Sequence, residues 1–223
     1  MFRPKNFGIL TKISYICTMR YVAKTIYVAL ICLVILAAGC GESRSASSYE
    51  ELLPHLADGD LLFRRGTGVV GRVVTAFDGN GEFSHVGIVV QRDGGWYVVH
   101  AVPHEHDFQG DFDRVKCDPV EHFLGYYSDA EFGLYRPQVS PEQVRIAVSN
   151  AQRLSDKMVH FDHDYDLADS TKLYCTELVE YVYGLAGVSL SEGRRTDISF
   201  VGMSGPHIMP SDLTESTKLK LIL

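Results

Sequence analysis

The residues of this chain best suited to covalent chemistry are one cysteine and two histidines. Cys175, Leu178, Val179, Val182 and Ala186 recur at helical spacing, and Gly187 follows as a stop. A thiol in the first turn of such a helix faces unpaired backbone N–H groups and the positive end of the helix dipole, both of which favour a thiolate. The N–H of Cys175 is then also available to an oxyanion. Asp169, Ser170 and Thr171 are candidate caps just before it. The same apolar stripe is where an inert core cysteine would sit. Glu177 and Glu180 add negative charge that opposes a thiolate.

The histidines supply what a thiol nucleophile needs, a base and a group that orients the base. Residues 84–91 are apolar and β-branched, Arg92-Asp93-Gly94-Gly95 is a turn, and 96–102 is β-rich again. If the turn pairs Gln91 with Trp96, His85 faces Val102 and Gly87 faces His100. His85 and His100 are then diagonal neighbours on one sheet face. A register slip of one residue would separate them. In this arrangement His85 draws the proton from Cys175, and His100 accepts the Nδ1 proton of His85 and fixes its tautomer.

Two other segments are rich in ligand types, His104-Glu105-His106-Asp107 and Asp162-His163-Asp164-Tyr165-Asp166. The second resembles the opening of a calcium loop, but Leu167 and Leu173 stand where the glycine and the bidentate glutamate are needed. With no His-Glu-x-x-His and no paired Cys-x-x-Cys, the reading requires no metal and no cofactor.

The elements that must position these residues are mixed. A short amphipathic helix over 48–57 and a turn into a strand at 59–63 come first. Val69, Val70, Val73, Val74 and Phe77 mark a helix over 68–77, and the hairpin follows. Residues 103–118 read as irregular with a short strand around Val115. One helical turn over 120–124 and a strand over 132–136 follow. Ser140, Pro141 and Gln143 open a helix with a capping box, running to about Lys157. Residues 188–223 read as loops with one or two strands. Strands and helices without β-α-β alternation predict an α+β domain with a largely antiparallel sheet. The net charge of −7 argues against a nucleic-acid partner.

Gly59-Asp60-Leu61-Leu62-Phe63, Phe83-Ser84-His85-Val86-Gly87-Ile88 and Leu173-Tyr174-Cys175-Thr176-Glu177-Leu178-Val179 resemble the YiiX-like permuted papain-fold amidases, relatives of the NlpC-like cell-wall peptidases with the His motif ahead of the Cys motif. The resemblance spans about 58–215. It implies a papain-like core, with a nucleophile on a helix N-terminus packed against a small antiparallel sheet carrying the base. Cys175 and His85 match the family's nucleophile and base. The third polar residue comes from the next strand, where family members often have Glu-Ala and this chain has His100-Ala101. Phe161-Asp162-His163-Asp164-Tyr165 is similar to a stretch before the Cys helix, and Met209-Pro210-Ser211-Asp212-Leu213 to a tail motif. The implied activity is amide hydrolysis through an acyl-enzyme, on cell-wall or other peptide-like substrates. A lipid acyl hydrolase or acyltransferase on the same fold, and a non-catalytic envelope-binding lipoprotein with Cys175 buried, are the alternatives.

The N-terminus carries a targeting signal. Arg20 and Lys24 precede an apolar run over 26–38, and Ala37-Ala38-Gly39-Cys40 closes it. Thirteen residues are too few for a membrane-spanning helix, which needs roughly 20. The ending resembles a bacterial lipobox with Leu36 one place further upstream than usual, so residues 1–40 read as a signal segment, with the true start at Met1 or Met19. Residues 41–50 form a tether and 51–223 the domain. Of the five cysteines only Cys117 and Cys175 lie in that domain, too few for a disulfide-built fold. The expected location is the cell envelope, anchored to a membrane through lipid, and the outer membrane where there are two. The mature protein is therefore predicted to start at Cys40 and partition with membranes, with Cys40→Ser left unprocessed. A soluble mature chain starting elsewhere, by N-terminal mass spectrometry, excludes the anchor.

Overall fold

The computed structural model describes residues 49–66, 69–79, 81–125, 131–200 and 203–223, so Cys40 and the signal segment lie outside the described residues. Among the described residues no helix is long and apolar enough to cross a membrane. A helical turn over 49–52 passes into a 3-10 turn, Leu53–His55. Then come β1 (Leu61–Arg64), α1 (Val69–Phe77), β2 (His85–Arg92), β3 (Gly95–Val102), β4 (Arg114–Pro119), α2 (Val120–Gly125) and β5 (Phe132–Pro137). The chain continues with α3 (Pro141–Asp156), α4 (Cys175–Leu185), β6 (Thr196–Phe200), β7 (Met203–His207), α5 (Pro210–Thr214) and β8 (Leu219–Leu221).

Six strands form one sheet in the order β4-β3-β2-β1-β5-β8, every pair antiparallel, and β6 and β7 pair separately. This is the expected α+β class. Both faces of the sheet are covered. Val86, Ile88 and Val90 of β2 pack with Leu178, Val179 and Val182 of α4 and Ala147 and Ala151 of α3. Val89 of β2 and Val98 of β3 face the other way, onto Leu52, Leu56, Val120 and Phe123.

The β2–β3 hairpin has the expected register, with Gln91 opposite Trp96 and Ile88 opposite Val99. Its two-residue turn places Asp93 at φ 51° and Gly94 at φ 80°, the positive angles a right-twisted tight hairpin requires. Gly59 begins the first family-like stretch at φ 81° and donates to Val89 O at 2.8 Å. Asp60 beside it is buried, accepting from Arg136 and from the Ala57 N–H. Ser140 caps α3 through the expected capping box.

Three expectations are corrected. The region around Val115 is a full six-residue edge strand, β4, carrying the buried side chains of Arg114, Lys116 and Asp118. The tail contains three short strands and a helix, α5, whose Asp212 accepts from the Met209 N–H at 2.8 Å. Helix α4 is entered through Tyr174 in an extended conformation, while Asp169 turns back on Thr171, accepting from its N–H at 3.0 Å.

Gly87 is the tightest point of the hairpin. A Cβ there would meet Val98 Cγ1 at 2.3 Å and His100 Cβ at 3.0 Å. Gly87→Ala is therefore predicted to cost about 1–3 kcal/mol, the usual range for overpacking, read as a lower denaturant midpoint. An unchanged midpoint would mean the strands separate freely at this point.

Candidate active site

Helix α4 and strand β2 bring Cys175 and His85 to one cavity. Cys175 is the first residue of α4, and backbone N–H groups of Thr176, Val86 and Cys175 itself point at its sulfur. Val86 follows His85, so the sulfur sits at the head of β2. His85, the first residue of that strand, belongs to the opposite sheet face, where its ring lies 5.6 Å from that of Phe123. Both side chains border a cavity of about 250 Å³. Its other walls are largely apolar and include Val74, Phe77, Tyr165, Ile198, Ile208 and Met209.

His85 Nε2 lies 2.9 Å from His100 Nδ1, and His100 Nε2 lies 3.1 Å from Asp118 Oδ2. Both imidazoles are buried. Burial would raise the Asp118 carboxyl, but His100 and Lys116 outweigh it and bring it down to about 2. An ionised carboxylate only accepts, which assigns every proton in the line. His100 carries its hydrogen on Nε2 and offers the Nδ1 lone pair. His85 must then donate from Nε2, which leaves its Nδ1 as a free base. The two expected rings are in contact, through Nε2 of His85 and not the expected Nδ1. Asp118 was missed altogether. Its signal was the alternation of Val115, Cys117 and the charged residues between them, obscured because charge is rarely buried.

A layer of buried charge surrounds this line. Arg64 pairs with His85 in the β1–β2 register, donates to Phe123 O at 2.6 Å and forms an ion pair with Glu105. Its guanidinium lies 4.5 Å from the Phe123 ring centre. Lys116 Nζ contacts Asp118 Oδ2 and Glu105 O, each at 3.1 Å, and also pairs with Asp107. His100, Glu105 and Asp118 hold donor atoms within 4.8 Å of one another, close enough for a metal. The group does not fit one, because Lys116 and Arg64 already neutralise the carboxylates and a dication would sit against both.

The same burial sets the resting protonation. It pushes the Cys175 thiol up to about 11 against the pull of the three backbone N–H groups. It holds His85 well below 6.5, with Arg64 and His100 adding to the effect. Burial thus favours the neutral form of both the thiol and the imidazole that border the cavity, against the thiolate expected from the helix dipole alone. Glu177, expected to oppose a thiolate, is raised by burial to about 8 and accepts from the Tyr174 N–H at 3.3 Å. Glu180 is turned away and accepts from the N–H groups of Leu190 and Ser191, each at 2.9 Å. Cys117 lies on β4 and is not bonded to Cys175. Asp162 is fully buried and accepts from the N–H groups of Asp164 and Asp166, fixing the turn that carries Tyr165 to the cavity.

An antiparallel sheet carrying two histidines, backed by a helix that starts with cysteine, defines a papain-like hydrolase with its His strand ahead of its Cys helix. The model of the permuted papain-like amidase family, YaeF/YiiX, C92, matches residues 55–223, and the chain belongs to that family. It is a hydrolase of the cysteine peptidase and amidase class. Among solved structures it is similar to the one titled metalloprotein yiiX from Escherichia coli O157:H7, with a TM-score of 0.61 at 18% identity over 74% of this chain and 96% of that one. No curated protein matches the chain.

The resting pair gives a sign to pH dependence. Iodoacetamide should modify Cys175 faster than Cys117, because Cys175 borders the cavity that His85 also lines. The rate should keep rising from about pH 7 to about pH 9, as it must for a thiol whose pKa is raised. A plateau reached below neutrality, or faster labelling of Cys117, would overturn the neutral resting pair.

Proposed function

We propose that the protein cleaves amide bonds through Cys175, His85 and His100, with Asp118 completing the line. The observation that carries this reading is the chain of contacts from Asp118 through His100 to His85, which leaves one imidazole nitrogen free at the cavity that Cys175 borders. His85 Nδ1 takes the thiol proton as sulfur attacks the carbonyl carbon. The N–H of Cys175 turns from the sulfur to the oxyanion as the tetrahedral centre forms. The imidazolium then gives its proton to the leaving amine, and an S-acyl enzyme remains. Water, deprotonated by His85, releases the acid and restores the thiol. Neutral His100, accepting the Nε2–H of the imidazolium with Asp118 behind it, offsets the burial and the Arg64 charge that disfavour a charged His85.

Peptide-like substrates of the cell envelope suit the expected lipid anchor. A second reading, hydrolysis or transfer of an acyl chain, is favoured by the apolar walls of the cavity, which offer little to a charged peptide. An array of amides and esters, graded in acyl length and peptide charge, separates the two. Cys175→Ala should abolish turnover on any true substrate, by at least ~10³-fold. His100→Ala should lower kcat about 10²–10⁴-fold with little change in KM, the range for lost acid–base assistance. If His100→Ala loses stability but keeps its turnover per folded molecule, the orienting role is wrong.

A further inference from the structure

The two ligand-rich segments noted in the sequence meet at a single carboxylate outside the active site. Asp113 immediately precedes β4, and its side chain is mostly buried, at 13% exposure. His106 Nε2 lies 3.0 Å from its Oδ1; His163 Nε2 lies 3.1 Å and His104 Nδ1 4.0 Å from its Oδ2. The four residues line a shallow groove of about 340 Å³, together with His160 and Phe112.

The backbone builds this convergence. His104 adopts a left-handed φ of 63°, and its N–H donates to Asp113 Oδ1 at 2.8 Å, so the carboxylate is oriented independently of the rings. The buried Asp162 fixes the turn that presents His163. A bridge between Arg114 and His160 holds the two segments side by side. Three imidazoles are more donors than one carboxylate needs for an ordinary ion pair.

Donor atoms bound about 2.0–2.1 Å from a tetrahedral zinc ion lie about 3.3 Å apart. The contacts of His106 and His163 to Asp113 are already close to that spacing. As they stand, no three of the four groups hold their donor atoms within 4.8 Å of one another, and the three rings are exposed, so side-chain rotation would have to bring them in around an ion. Imidazole nitrogens with a single carboxylate suit zinc, nickel or copper, whereas calcium and magnesium ask for oxygen.

We propose that Asp113, His104, His106 and His163 form a transition-metal site on the outer side of the active-site wall. Pro103, next to His104, and Phe161, between His160 and His163, both line the catalytic cavity. A bound ion would therefore tie together two segments whose other sides shape that cavity. The site is separate from the hydrolytic groups and does not depend on the reaction assigned to them.

The test is equilibrium dialysis of tag-free, EDTA-stripped protein against zinc, beside His163→Ala and His106→Ala. One zinc should bind per chain, and each variant should weaken binding at least about tenfold, within the range for perturbed metal sites. Cobalt in place of zinc should give visible bands without the strong near-ultraviolet absorption of a thiolate ligand. Both variants remove exposed rings, and equal melting temperatures in EDTA establish that they fold like the parent. At one zinc concentration, zinc should raise the melting temperature of the parent more than that of either variant. No binding, binding unchanged in both variants, or a thiolate band in the cobalt spectrum would each overturn the proposal.

Discussion

The carboxylate of Asp118 is buried and ionised, and the arrangement of the active-site end of the molecule follows from keeping it so. A buried carboxylate without partners would take up a proton. Lys116 and His100 prevent this by approaching the same oxygen, each at 3.1 Å. Once Asp118 can only accept, His100 has one allowed tautomer, and His85 in turn has one. The free nitrogen on His85 is thus set by a charge two side chains away. This ordering needs no negative charge in contact with the thiol, which would oppose the formation of a thiolate.

The cost of that layer is met by its density. Arg64, Glu105, Lys116, Asp107 and Asp118 pair with one another, and Arg64 also lies over the Phe123 ring. Breaking such a group by removing one member leaves an uncompensated charge, which costs far more than the net contribution of an intact pair. The stabilising part of this region is therefore the apolar packing on either side: Val89, Val98 and Phe123 below, Val86, Ile88 and the α4 stripe above. The charged layer specifies which protons sit where. The packing holds β2, β3 and β4 at the spacing that the specification requires.

How much of this was legible in the sequence follows the same division. The Arg92–Gly95 turn and the alternation on either side carried the register that puts His85 and His100 together, because one sheet face had to be apolar and the turn residues admit one tight geometry. The stripe from Cys175 to Val182 carried the helix, and the capping box at Ser140 carried the other. What alternation could not reveal is a strand whose inward side chains are charged. In β4 the buried positions include Arg114, Lys116 and Asp118 beside Val115, and these charged residues read as solvent-facing until their partners on β3 and the 105–111 loop are known. The entry to α4 was hidden for a related reason. Tyr174 is not a capping residue type, and its place is fixed by long-range bonds: its hydroxyl accepts from the Ile208 N–H at 3.0 Å. The three carboxylates near Cys175 in sequence were similarly ambiguous. Only burial separates Glu177, pushed toward its neutral form, from Glu180, turned to the 189–191 loop, and from Asp162, spent on a turn.

The cavity and the charged layer make opposite demands on solvent, and His85 stands where they meet. On one side its ring touches a line of charge that works best when water is excluded, since water would weaken each electrostatic contact. On the other it borders walls such as Phe77, Ile198 and Met209 that an apolar group of the substrate would fill. An occupied cavity shields the Cys175–His85 pair from solvent, which favours the neutral resting forms still further. In the proposed mechanism, proton transfer is then driven by the attack itself, with the charge on His85 appearing only as the sulfur–carbon bond forms and Asp118 already oriented behind His100. Under that proposal, selectivity for the substrate and protection of the ground state come from the same apolar surface, while the power to move the proton comes from the carboxylate on the far side of the ring.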